Sequence, residues 1–127
     1  MSAKEIYILV DYKLSAIIGV FSTLKKVQEA KKALIKRDVR AIERKINEEL
    51  ILSNLETDRK YELVGILNLI NYFNTNIDTA WESTVIEWDG ICPHSRYGWY
   101  RTKVDTFKLE KSTYGPIILI PSSTKTN

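Results

Sequence analysis

Cysteine and histidine each occur once in these 127 residues, proline three times and glycine five times. Each scarcity excludes a class of protein. Cys92 has no second cysteine to pair with, so an internally bridged extracellular fold is excluded and a reducing, intracellular compartment is expected. Cys92 and His94 share the loop "DGICPHSRYGWY" with Asp89, without the repeated Cys and His ligands of a closed zinc site. The glycines, at 19, 65, 90, 98 and 115, never cluster between a strand and a helix, so neither phosphate-binding loop nor dinucleotide fingerprint is present. A Gly-x-Ser-x-Gly elbow is also missing. No apolar run approaches the roughly 20 residues that span a bilayer. The start "MSAKEIYILVDYK" sets a charged pair before a run of strand length, unlike a signal peptide or an anchor. No membrane partner and no cofactor are expected.

What is present is the composition of a folding chain, 44% apolar and 28% charged. At this length one core is the default, and residues 1–127 are expected to form a single compact domain. The net charge of +3 is too small to identify a polyanionic partner by itself.

Along the chain, "EIYILVDY" (5–12) and "IIGVF" (17–21) have the β-branched and aromatic content of strands, joined by a turn at "KLSA". Gly19 marks a bulge or a close backbone approach. Ser22 or Thr23 caps a helix in which Leu24, Val27, Ala30 and Leu34 form an apolar stripe. No Gly or Pro interrupts the chain between Val20 and Gly65, so helix is expected to about Ser53, with a bend at Asp38 left open. "KYELVGILNLINYFN" (60–74) is so densely apolar that periodicity cannot separate helix from strand, and its length favours helix. Thr57 and Asp58 offer caps. Beyond it, "STVIEWDG" ends in an Asp-Gly turn, "GWYRTKVDTFKLEK" alternates, and Ile117 to Ile120 forms a short strand between two prolines.

The fold class is therefore α+β: a small, mainly antiparallel sheet covered by two or three helices. Its strands are expected near 5–12, 17–21, 84–88, 99–109 and 116–120, and its helices between 23 and 74. A helix-rich chain with a smaller sheet is the alternative.

"YILV", "IIGVFST" and the helix opening "LKKVQEA" together resemble the first module of short uncharacterised proteins from phages, large DNA viruses and bacteria. That module is a strand, a second strand ending Gly-Val-Phe-Ser or Gly-Val-Tyr-Ser, and a helix. The resemblance covers about residues 7–34. It implies the local structure and a viral protein with a structural or host-directed role in the host cytoplasm, and it transfers no functional residue.

Two surfaces carry candidate function. "RYGWYRTK" sets Tyr97, Trp99, Tyr100 and Arg101 around Gly98, the residue types that anchor protein interfaces and also fill small cores. The helix from Leu24 to Lys45 holds nine Lys and Arg against three Asp and Glu. Lys25, Lys32, Lys36, Arg40 and Arg44 are its candidate phosphate contacts, although lysine is also the ordinary means of solvating a helix. Sequence-specific groove reading lacks the Arg, Asn and Gln pattern it needs. The first expectation is a non-enzymatic protein that binds another protein or itself. Non-specific nucleic-acid binding through residues 24–45 is second, and a small enzyme third.

Overall fold

The computed structural model describes residues 3–52, 54–105, 109–111 and 117–119. Its elements in order are β1 (Ala3–Asp11), β2 (Ala16–Phe21), α1 (Leu24–Leu50), α2 (Thr57–Thr75), α3 (Ile77–Ala80), α4 (Pro93–Arg96), β3 (Tyr97–Asp105), β4 (Leu109–Lys111) and β5 (Ile117–Leu119). The fold is α+β, with a three-stranded antiparallel sheet in the order β2-β1-β3 and a separate β4-β5 pair. The chain gathers into two compact units, Met1–Lys31 with Arg96–Asn127, and Lys32–Ser95.

In the first unit, β1 is central because both neighbours pair with it. Across β1 and β3, Ile8 faces Tyr100, Leu9 faces Trp99 and Asp11 faces Tyr97. The run "IYILVD" buries residues of both parities, Ile6 and Ile8 on one face and Leu9 and Asp11 on the other, as a strand covered on two sides must. The β1–β2 register shifts between Leu9 and Val10, a bulge beside Gly19. Gly98 admits the ring of Tyr12: a Cβ there would lie 2.6 Å from Tyr12 Cε2.

Helix α1 is continuous through Asp38, since nothing in its sequence breaks the ladder. Thr23 caps it by accepting a hydrogen bond from the Lys26 amide at 3.1 Å. Its buried residues are Val27, Ile35, Val39, Ile42 and Ile46; of the expected stripe, Val27 is buried, Ala30 and Leu34 are half-buried and Leu24 is exposed. The line from 27 through 31, 35, 39, 42 and 46 keeps one face by steps of four and three, with half-buried Lys31 on it. The expected stripe departs from this line after Val27, where the next position on it is a lysine.

Helix is the state of the ambiguous middle segment. Leu63, Ile70 and Phe73 are its buried residues. Thr57 is the first helical residue rather than the cap; Glu56 occupies the cap position without a side-chain hydrogen bond, and Asp58 lies in the first turn, where its charge suits the helix dipole. Asn76 ends the helix, its amide nitrogens donating to the Tyr72 carbonyl.

The strand expected at 84–88 is a correction. Thr84 and Ile86 are buried while Val85 and Glu87 are exposed, so the alternation is real, yet among the described residues only Trp88 pairs, with Ile91. A strand requires a neighbour as well as a pattern. The Asp-Gly turn between them is present, with Asp89 at φ 49° and Gly90 at φ 80°, and Trp88 and Ile91 exchange both backbone hydrogen bonds. The strand expected over 99–109 begins earlier, at Tyr97, and ends at Asp105; residues 106–108 lie outside the described residues, as do Pro116 and Ile120 of the last expected strand.

Candidate interaction surface

Strand alternation divides the four aromatic and guanidinium candidates. Tyr97, Trp99 and Arg101 share one face of β3 and Tyr100 takes the other. Tyr97 is 2% exposed and is a core residue, with the Arg96 guanidinium 5.1 Å over its ring. It is therefore withdrawn as a contact for a partner, because the β1–β3 register turns its ring inward beside Asp11. Trp99 is half-buried, edge-on to Tyr7 with ring centroids 5.8 Å apart. Arg101 is exposed, its Nε 3.6 Å from a Glu5 carboxylate oxygen.

Tyr100 remains open to solvent at 48% and has neighbours that sequence reasoning missed. Tyr12 and Ile17 are 62% and 59% exposed. The three line one depression of about 310 Å³ together with Val10, Asp11, Ser15 and Ala16. Two facts of the backbone create it. The 12–15 turn, with Ser15 at φ 52°, carries the chain from β1 to β2, and Gly98 leaves space for the Tyr12 ring.

Asp11 holds this corner. Its carboxylate accepts hydrogen bonds from the amides of Lys13 and Leu14 at 3.0 and 3.2 Å. It accepts two more from Arg96, through Nε at 3.1 Å and Nη2 at 2.8 Å. The Tyr12 amide donates to the Arg96 carbonyl. Hydrogen bonding from Arg96 depresses the Asp11 carboxyl below the usual carboxylate range, against a burial that raises it, and the two turn amides add to the depression. The Asx pattern at Asp11 was the available signal for the turn; nothing in sequence announced Arg96, 85 residues away.

The second unit contains a larger ionic cluster. Arg59 donates to Glu49 through Nε at 2.6 Å and Nη2 at 2.9 Å, to Glu62 through Nη1 at 2.9 Å, and to Asp89 through both terminal nitrogens at 3.0 and 2.9 Å. All five guanidinium donors are used. Hydrogen bonding from Arg59 lowers the Glu49 carboxyl, and the three carboxylates, Glu49 foremost, raise the Arg59 pKa. The arrangement fastens the end of α1, the start of α2 and the Asp-Gly turn. With every donor engaged, it is a clamp.

The basic face of α1 is divided too. Lys25, Lys36, Arg40 and Arg44 are exposed, whereas Lys32 is mostly buried and bonded to Asp78 at 3.4 Å. Arg40 and Arg44 border a shallow depression with Glu43, Asn47, Glu48 and Ile51, so carboxylates interrupt the positive stripe.

In the 92–95 loop, Cys92 Sγ accepts a hydrogen bond from Ser95 Oγ at 3.4 Å. His94 Nε2 lies 2.6 Å from the Trp81 carbonyl, and its ring is edge-on to Phe73 at 5.9 Å. The histidine is packed into its unit. Among the described residues no group of three or more His, Cys, Asp or Glu side chains is placed to hold a metal ion, and no helix is long and apolar enough to cross a membrane. Compared with protein-family models, curated proteins and solved structures, the chain matches none.

Proposed function

We propose that this chain is a non-enzymatic protein-interaction protein, of the viral or phage-encoded kind that residues 7–34 resemble, acting in a reducing intracellular compartment. The observation that carries this reading is the depression at the end of the β1–β2 hairpin, where Tyr12, Ile17 and Tyr100 stand exposed around one concavity. Aromatic anchors beside a pocket are the usual centre of binding energy at protein interfaces, and a monomer gains nothing by leaving two tyrosines and an isoleucine in water together. The partner supplies an apolar or aromatic side chain to the depression. Arg101 and Trp99, on the opposite face of β3, stand apart from that contact.

Panning a random-peptide phage library on the purified chain tests this. Peptides with a large apolar anchor should be enriched, and their affinity should fall at least about tenfold on Tyr100→Asp or Ile17→Asp, about 1.4 kcal/mol, with the circular dichroism spectrum unchanged. No enrichment, or equal binding to both variants, overturns the reading.

A second reading rests on Lys25, Lys36, Arg40 and Arg44, all exposed on α1. Under it, duplex DNA binds without sequence preference, weakens steeply from low to physiological salt, and is lost in Lys36→Glu/Arg40→Glu/Arg44→Glu.

A further inference from the structure

We propose that the Asp89–Gly90 peptide is a modification site, where this chain converts an aspartate into isoaspartate without an enzyme, and that the Arg59 guanidinium sets the rate by gripping the aspartate. The inference concerns the second unit and does not rest on the peptide-binding reading.

The reactive pair occurs once. No other Asp or Asn of the chain precedes a glycine or a serine. Isoaspartate forms when the amide nitrogen of the following residue attacks the side-chain carboxyl carbon, and a side chain on that following residue hinders the approach. Glycine has none. Asp89 and Gly90 are both exposed, and a Cβ on Gly90 would meet nothing within 4 Å, so the pair is open to water.

The step needs no reactant besides water. A bond forms from the Gly90 nitrogen to Asp89 Cγ, and one carboxyl oxygen leaves as water with the carboxyl proton and the amide proton, which closes a succinimide ring. Water then adds to a ring carbonyl. Opening at the main-chain carbonyl leaves the chain running through Cγ and the α-carboxyl free. Composition and net charge are unchanged, and nothing is oxidised or reduced.

Arg59 opposes the first step. Its Nη1 and Nη2 donate to Asp89 Oδ1 and Oδ2 at 3.0 and 2.9 Å, one nitrogen to each oxygen, the bidentate arrangement that fixes a carboxylate in its plane. Attack makes Cγ tetrahedral and takes both oxygens out of that plane, and the departing oxygen must first be released by its guanidinium nitrogen. The backbone is held as well, with Asp89 at φ 49° and Gly90 at φ 80° between Trp88 and Ile91, which exchange both backbone hydrogen bonds. The Asp89 side chain is 44% exposed, so the grip slows the reaction without abolishing it.

Conversion opens the clamp for good. Isoaspartate lengthens the main chain by one methylene, so a two-residue turn no longer sets Trp88 against Ile91. The free carboxylate then sits directly on Cα, out of register with the guanidinium fork. Arg59 keeps Glu49 and Glu62 and loses the turn.

Ageing the full chain at neutral pH, with peptide mapping by electron-transfer fragmentation to distinguish the two linkages, provides the test. Isoaspartate should accumulate at residue 89 before any other position, and more slowly in the folded chain than in urea. Arg59→Gln should speed the folded reaction about fivefold, the effect of losing a half-wet ion pair, with an unchanged helical circular dichroism signal. Arg59→Lys keeps the charge without the fork and should fall between the two. Glu62→Gln leaves Asp89 held and should leave the rate as it is. Salt should speed the reaction in the unaltered folded chain and not in urea, because screening weakens the pair, and this arm needs no variant to fold. Isoaspartate forming as fast in the folded chain as in urea, or first at another residue, overturns the proposal. So do equal rates for Arg59 and both its variants, or a folded rate indifferent to salt.

Discussion

The two units each place an arginine among carboxylates, and they do so in opposite ways. In the first, Arg96 meets, among the described residues, the carboxylate of Asp11, which is only 4% exposed and also accepts two turn amides. In the second, Arg59 meets three carboxylates, two of which, Glu62 and Asp89, have side chains about half in water. Removing the guanidinium from a carboxylate with so little access to water leaves it to the two turn amides, which is costly. A redundant, half-wet cluster loses one member and keeps the rest, and water screens the remainder. The first arrangement shapes one corner of a sheet; the second distributes the fastening of three segments over four residues.

The largest expected effect comes from breaking the Arg96–Asp11 pair. Arg96→Met should lower the melting temperature more than Glu49→Gln, and the amides of β1 and β3 should lose hydrogen-exchange protection while α2 keeps its own. Equal losses from the two substitutions would erase the distinction between the clamps.

Acid should separate them at an intermediate level. Asp11 and Glu49 both have depressed folded values, so each contributes stability that is present above the ordinary carboxylate range, about pH 4, and lost as pH falls through the folded value. Asp11→Asn should flatten the acid limb of the stability curve at any salt concentration. Glu49→Gln should flatten it at low salt and less at high salt. Identical salt dependence in urea melts from pH 2 to 7 would contradict this.

Gly98→Ala should have the smallest effect. The new Cβ would lie 2.6 Å from the Tyr12 ring, but that ring ends an exposed side chain and can swing away, costing under about 1 kcal/mol. The depression then loses a wall, so peptide affinity should drop with the melting curve nearly unchanged. A large loss of stability would mean that the Tyr12 ring belongs to the core.

How much was legible follows the range of each interaction. The Thr23 cap, α1 and the Asp89-Gly90 turn rest on contacts within a few residues, and β1 and β2 pair across a short hairpin, so their signals were plain in the chain. The aromatic cluster was visible as composition, yet its division between the faces of β3 was not, because pairing with β1 decides which parity turns inward. Tyr12 and Ile17 were invisible as partners of Tyr100, since nothing local joins residues 12, 17 and 100.

The strand misplaced at 84–88 shows the same boundary from the other side, an alternating pattern that among the described residues pairs only through Trp88 and Ile91. The amino-acid sequence by itself determined the α+β class, the first hairpin and the long helix after it, and left the charge-free stretch at 63–75 to its length, because propensity, capping and periodicity act over a few residues. Only the tertiary structure decided that β1 is central, that Arg96 closes on Asp11, that Arg59 gathers three carboxylates and that Tyr97 is core while Tyr100 is surface. Each of these depends on which distant residues meet, and burial, pairing and the pKa of a carboxylate belong to that meeting.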